Sequence, residues 1–312
     1  MTLKAIRSSS IITALLIIHS VSVTAQQDPL LSHNLFNKLD VNPGYAGSRE
    51  ALSTELLYRY QWVNIEGAPR TFSASLHSPL RNDHIGLGLN IFQDVTGPDI
   101  SQGALATFAY RILFKKSKLS FGLQTGIRHS DILWSRIVTL QSDDPAMRPV
   151  NQNITVPDAG FGIYYYSGRF YAGLSAKHLF ENEMSKGAVE GIEHYTQLSR
   201  HYYGIAGGAI PVGNDLVFCP SILVKYLRNS PLRMDLNASF IISRLIRAGI
   251  SYRTEKAVSL ITEVMLTRNL RLGYSYDQWF NELLTANKGS HEFRLGIDLE
   301  VFQKTMLTPV YF

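Results

Sequence analysis

Apolar and polar residues alternate along most of this chain. In "SKLSFGLQTGIRH", Leu119, Phe121, Leu123, Thr125 and Ile127 fill one set of alternating positions, and Ser120, Gly122, Gln124, Gly126 and Arg128 fill the other. "HEFRLGIDLEV" does the same, with Phe293, Leu295, Ile297, Leu299 and Val301 set against Arg294, Gly296, Asp298 and Glu300. A period of two marks a strand whose faces meet different surroundings. About fourteen segments follow it, most of them 9 to 13 residues long. Strands in soluble proteins usually run about 5 to 6 residues, whereas strands that cross a bilayer need about 9 to 11. Lipid tolerates a sheet only when it closes on itself. The pattern therefore predicts an all-β fold, a transmembrane antiparallel outer-membrane β-barrel of about fourteen strands. A soluble sandwich or a lipocalin-like chain would show shorter strands and more charge on its outer faces.

The connections give a separate check. If the first strand rises from the periplasm, connections after even strands are periplasmic and those after odd strands extracellular. The even set, "PLRND", "FKKSK", "SG", "GN", "SR" and "RN", is tight throughout. The three longest connections all fall in the odd set: "SDILWSRIVTLQSDDPAMRPVNQNITVP", "FENEMSKGAVEGIEHYTQLSR" and "QWFNELLTANKGS". Short periplasmic turns with long outer loops are the asymmetry of such barrels.

Before the strands lies "MTLKAIRSSSIITALLIIHSVSVTAQQD", with a basic start, an apolar centre too short to span comfortably, and small or β-branched residues ahead of Gln26. These features predict a signal peptide, 1–25, cut near Ala25/Gln26; the competing readings are a buried helix or an anchor. Removing it takes Lys4 and Arg7 and no acid, so the formal net charge falls from +5 to +3 and leaves no case for nucleic acid. The single cysteine, Cys219, excludes an intrachain disulfide and lies too far downstream for lipidation at the cleavage point. Only 18% of residues are charged, against about 25% in soluble domains, while aromatics reach 11% with 16 tyrosines. The remaining expected parts are a periplasmic N-terminal arm and turn at 26–50, the barrel at 51–302 and a short tail at 303–312.

Catalytic chemistry finds little support. The histidines are scattered without ligand spacing, and "HEFRLG" lacks the second histidine of a zinc-protease motif. His129, Ser130 and Asp131 are adjacent, but strand neighbours point apart and no nucleophile motif accompanies them. "GLGLN" and "GFG" open no helix, so they cradle no phosphate. No catalytic residue, cofactor site or metal site is expected. If the apolar set faces lipid, the lumen receives Arg128, Arg169, Lys177, Arg233, Asp235, Arg247, Arg253, Glu263, Arg271, Asp277, Arg294, Asp298 and Glu300. Such a mixture suits a filled interior laced with ion pairs better than a selective anion pore, since no single-sign ring stands out.

One turn has a more specific look. "VNPGYAGSRE", followed by "LLYRYQWVNIEGAPRTFSASLHSPL", resembles the N-terminal signature of the PorP/SprF family of Bacteroidota outer-membrane proteins. Asn42, Pro43, Tyr45, Ala46 and Gly47 match its turn. Tyr58 to Trp62, including Arg59, Gln61 and Trp62, match its first strand, and Gly67 to Pro69 complete the pattern. "LRLGYSYD" with Asp277, and "GSHEFRLGIDL" with Ser290, His291 and Glu292, resemble later blocks. Gly44 departs where alanine is common, and Val310 where a basic residue is common.

The resemblance implies a non-enzymatic component of the type IX secretion and gliding apparatus. It implies partners in other secretion components on the periplasmic side and in a secreted substrate or large adhesin outside, with outer-membrane lipid around the wall. A general or solute-selective porin is the alternative. The arm, turned into the first strand by Asn42 and Pro43, is one expected contact surface, unless that turn merely starts the strand. The others are the loops at 130–157, 180–198 and 278–290, with Trp279 and Phe280 as the expected apolar hot spot.

Overall fold

The computed structural model describes residues 28, 31–33, 36–137, 151–189, 192–280 and 287–300. The expected signal segment, the tail and the loop centres at 138–150 and 281–286 lie outside these residues. The strands are β1 (Leu52–Tyr60), β2 (Arg70–Pro79), β3 (Ile85–Thr96), β4 (Asp99–Leu113), β5 (Ser117–Ile132), β6 (Gln152–Ser167) and β7 (Phe170–Lys177). They continue with β8 (Glu183–Val189), β9 (Ile192–Gln197), β10 (His201–Gly208), the two-residue β11 (Ile210–Pro211) and β12 (Leu216–Leu227). The last five are β13 (Arg233–Ile242), β14 (Ile246–Arg253), β15 (Ala257–Met265), β16 (Leu270–Trp279) and β17 (Ser290–Leu299).

Each barrel strand pairs antiparallel with its neighbours, and two pairings close the ring. β1 runs beside β17, with Leu52 opposite Leu299 and Tyr60 opposite His291. β10 runs beside β12, with His201 opposite Leu227. Setting aside β11, which extends β10 against β12, the ring is a closed barrel of fourteen strands. β8 and β9 pair only with each other and form a hairpin in the connection between β7 and β10.

The faces divide as the sequence pattern requires. In β5, Lys118, Ser120, Gly122, Gln124 and Arg128 point inward, while Leu123 and Ile127 are exposed. In β17, Ser290, Glu292, Arg294 and Asp298 are buried, and Phe293 and Leu299 are exposed. Exposed apolar side chains such as Phe72, Ile91, Phe108, Leu174 and Leu260 cover the outside, the inverse of a soluble sheet and the surface lipid requires. Arg169 and Glu300 correct the expected lumen set. Arg169 lies in the β6–β7 turn and Glu300 beyond the end of β17, and both are exposed, because alternation stops where the strand stops.

Candidate functional site

The lumen is filled by the chain's own N-terminal arm. Strand alternation lines the interior with charged and small residues, and these need partners once taken from water. Segment 31–50 supplies them. Its described residues are buried along almost their whole length, including Phe36, Leu39, Asn42, Tyr45 and Arg49. The arm expected to hang on the periplasmic side therefore lies inside the barrel. The physical reason is the unsatisfied polar lining, which a free arm would leave empty.

The arm begins near the long-loop end. There Arg59 of β1, Asp277 of β16 and Glu292 of β17 converge, with Arg59 Nη1 2.9 Å from Glu292 Oε2 and Nη2 2.6 Å from Asp277 Oδ2. Ser32 and His33 dock into this cluster. Their backbone N–H groups donate to the two Glu292 oxygens at 2.8 and 2.7 Å. His33 Nδ1 donates to Glu292 at 2.7 Å, and Ser32 Oγ donates to Asp277 at 2.6 Å. Arg253 of β14 completes the grip by donating to Ser32 Oγ at 2.8 Å. All of these side chains are fully or almost fully buried. Each charge is thus paired and hydrogen-bonded, the condition under which a buried ion pair is tolerated.

Midway down, the arm passes between a charged wall and an aromatic one. On one side the guanidinium groups of Arg247 and Arg294 stand 5.0 and 4.8 Å from the Phe36 ring centre. Arg294 also meets Glu55 at 2.5 Å and pairs with Glu263, and Arg271 bridges Glu55 and Asp298 at 3.0 and 2.9 Å. On the other side Leu39, Val41, Tyr45 and Ala46 pack against Tyr164, Tyr166, Tyr171, Tyr203 and Ile205 of β6, β7 and β10. Tyr45 sits edge-on to Tyr164 at 5.4 Å and to His77 at 5.1 Å. Tyr45, Tyr164, Tyr166, Tyr171 and Tyr203 therefore face the lumen.

The Asn-Pro-Gly-Tyr stretch forms a 3-10 turn, Pro43–Tyr45, capped by Asn42. Asn42 Oδ1 accepts from Gly44 N at 2.8 Å, and Nδ2 donates to the carbonyls of Ile163 and Leu174 at 3.0 and 3.2 Å. Pro43 fits the first helical position because it has no N–H to leave unpaired. The turn presses so closely on the wall that a Cβ added at Gly122 would lie 2.2 Å from the Pro43 carbonyl carbon. One added at Gly162 would lie 2.2 Å from Asn42 Oδ1. Gly122 of β5 and Gly162 of β6 make room for the turn.

At the short-turn end Arg111 Nη1 donates to the Gly47 carbonyl at 2.6 Å, Arg49 pairs with Asp298 at 2.8 Å, and Lys118 pairs with Glu50. Gly47 has a φ of +76°, a left-handed conformation open to glycine, as the chain leaves the lumen for β1. A cavity of about 80 Å³ remains beside the arm, lined by Asp28, Asp40, Arg128, Lys177 and Lys225 among others. A volume of that size has room for a few waters.

The structure gathers Arg59, Asp277, Glu292 and the turn residues Asn42, Pro43, Tyr45, Ala46 and Gly47 along one lumen contact. Ser290 and Trp62 join its rim, where Trp62 N donates to Ser290 Oγ at 3.1 Å. Gln61 is buried at the end of β1, with its backbone N–H on the Pro69 carbonyl. His291 points outward to the Tyr274 hydroxyl at 2.8 Å and takes no part. Trp279 departs from the expected outer hot spot. It is only 4% exposed, closes β16 and packs against Trp62 at 6.0 Å. Phe280 alone of that pair is exposed. His129 and Asp131 pair on one face at 3.2 Å, while Ser130 turns to Asp99 on the other, so the three form no triad. Sequence reasoning missed Ser32, His33, Glu55 and Arg49. The signal available was the polar arm itself, beside a charged lumen lining in need of partners.

The sequence model for "Type IX secretion system membrane protein PorP/SprF" matches residues 23–297. No curated protein matches the chain. Among solved structures, the toluene transporter TbuX of Ralstonia pickettii aligns with a TM-score of 0.51 at 8% identity, covering 84% of this chain and 92% of that one. A FadL homologue of Pseudomonas aeruginosa aligns at 0.46 with 11% identity, covering 90% and 96%. Omp33 of Acinetobacter baumannii aligns at 0.47 with 6% identity, covering 80% and 100%. At these identities the likeness to TbuX concerns the outer-membrane barrel fold alone. With its family signature spread over nearly the whole barrel and the turn motif that opens it, this chain belongs to the PorP/SprF family of type IX secretion system membrane proteins.

Proposed function

We propose that this chain is a non-enzymatic scaffold of the type IX secretion system, supporting export or surface anchoring of secreted proteins or of a large adhesin. The supporting observation is the filled lumen. An arm gripped by Arg59, Asp277 and Glu292 at one end and by Arg111 and Lys118 at the other stiffens the wall and occupies the path a solute would take. A rigid barrel with its longest connections outside suits loop-mediated contact. Phe280, exposed where β16 enters the last long connection, is a candidate contact for the exported partner.

Deletion of the gene in the native host, with quantification of surface and released proteins that carry the system's C-terminal signal, tests the reading. Loss of all of them makes the chain a core component, and loss of one large adhesin makes it a dedicated partner. An unchanged secretome overturns the proposal and leaves the porin alternative, for which planar-bilayer conductance is the direct measurement.

A further inference from the structure

Asp28, His178 and His201 come together where the arm meets the base of the outer hairpin. His178 directly follows β7 and His201 opens β10, so the two imidazoles bracket the excursion that carries β8 and β9. Strand alternation would send His178 outward after the inward Lys177. Its backbone instead takes a φ of +57°, which turns the ring into the lumen. The rings stand 5.3 Å apart, nearly perpendicular, and both are fully buried. Each of the three residues can offer one ligand atom, and those atoms lie within 4.8 Å of one another.

The hydrogen bonds orient the two rings toward Asp28. His201 Nδ1 is 2.9 Å from the Ser199 carbonyl, which can only accept, so Nδ1 carries the proton and Nε2 the lone pair. That Nε2 is buried and has no hydrogen-bond partner among the described residues. His178 Nδ1 is 2.8 Å from Asp158 Oδ2, which orients the ring, and its Nε2 faces Asp28 at 3.0 Å. A carboxylate or carbonyl behind each ring, with the far nitrogen aimed at a shared point, is how metal-binding histidines are held.

We propose that Asp28, His178 and His201 bind a divalent transition-metal ion of the zinc class, with Asp158 as the orienting partner of His178. Two imidazoles and one carboxylate form a usual zinc ligand set that leaves a fourth position for water. Ligands around zinc stand about 3.3 Å apart, given bonds of about 2.0–2.1 Å. His178 Nε2 and Asp28 are 3.0 Å apart and all three ligand atoms lie within 4.8 Å, so small side-chain shifts, with that first pair opening slightly, seat the ion. Lys177 and Arg128 each lie 3.4 Å from an Asp28 oxygen and compete with the ion for it. Arg128 has a second carboxylate at hand in Asp158, 3.9 Å from its Nε, and Lys177 is partly exposed. The Tyr203 hydroxyl donates to Asp28 at 3.1 Å and steadies the carboxylate. The competing arrangement is a protonated His178 bridging Asp28 and Asp158 with no ion. A bound ion would pin the start of the arm to the root of the outer hairpin, a role independent of the secretion reading.

The test uses the full chain, purified from outer membranes in detergent without a histidine tag, stripped with chelator and dialysed against zinc or cobalt. The expected result is one zinc ion retained per folded barrel, tetrahedral cobalt absorption, and a zinc-dependent rise in unfolding temperature that magnesium does not produce. His201→Gln should abolish stoichiometric retention, and Asp158→Asn should weaken affinity about 10- to 100-fold. Heat-modifiable migration reports whether each variant folds. If a variant does not fold, the wild-type response to zinc against magnesium decides. A folded wild-type barrel that retains no zinc overturns the proposal, as does a folded His201→Gln barrel that retains as much.

Discussion

Arg59 and Glu292 stand directly opposite each other across the β1–β17 seam, their side chains 2.9 Å apart inside the barrel. This pair joins the first and last strands where the ring closes, and it also receives Ser32 and His33 of the arm. Closure of the barrel and docking of the arm thus share the same carboxylate.

Glu292→Gln should release the top of the arm. Removing one charge of a buried pair typically costs about 3–5 kcal/mol, because the partner is left uncompensated. In detergent, trypsin should cut the variant after Lys38 while the wild-type arm resists and the barrel band stays intact. Equal protection of both proteins would mean that the carboxylate does not hold the arm.

Asn42→Ala should weaken the docked turn without changing the wall. Loss of an N-cap costs about 0.5–2 kcal/mol, and the Ile163 and Leu174 carbonyls also lose a donor. Asn42 and Pro43 changed together should still insert but unfold a few degrees lower. Failed insertion would instead tie the motif to the start of β1.

Gly122→Leu should expel the turn. A side chain there meets backbone atoms of Pro43 and Gly44 near 2.2 to 2.3 Å, which cannot swing aside. The outer face of β5 is unchanged, so the barrel should fold with an emptied lumen. Planar bilayers should record larger conductance for this variant than for the wild type. A variant as silent as the wild type would rule out the arm as the occluding element.

Trp279→Ala and Phe280→Ala should separate packing from contact. Truncating the buried Trp279 leaves a cavity beside Trp62 and should cost about 3–5 kcal/mol in thermal unfolding. Phe280→Ala should leave the unfolding temperature unchanged and, under the proposed role, reduce surface retention of the exported partner. Equal stability losses would place both rings in the wall.

The strands, their faces and the ring of fourteen were legible because lipid imposes a strict period of two on every segment that crosses it. Each strand in β5 or β17 declares its facing from its own residues. Parity of short and long connections then set which end carries the loops. The arm was not legible in this way. Nothing local in "SHNLF" or "VNPGYAG" says that Ser32 meets Asp277, 245 positions later in the chain, or that Pro43 rests on Gly122. Trp279 misled for a related reason: the last residue of a strand reads as loop, yet its facing follows the strand register and turned it inward onto Trp62. The sequence by itself determined the barrel strands, their faces and the family signature, while the β8–β9 hairpin lay in a connection it gave as a loop. Only the tertiary structure decided what fills the lumen, because a buried charge takes whichever partner the closed ring brings within reach, at whatever distance along the chain.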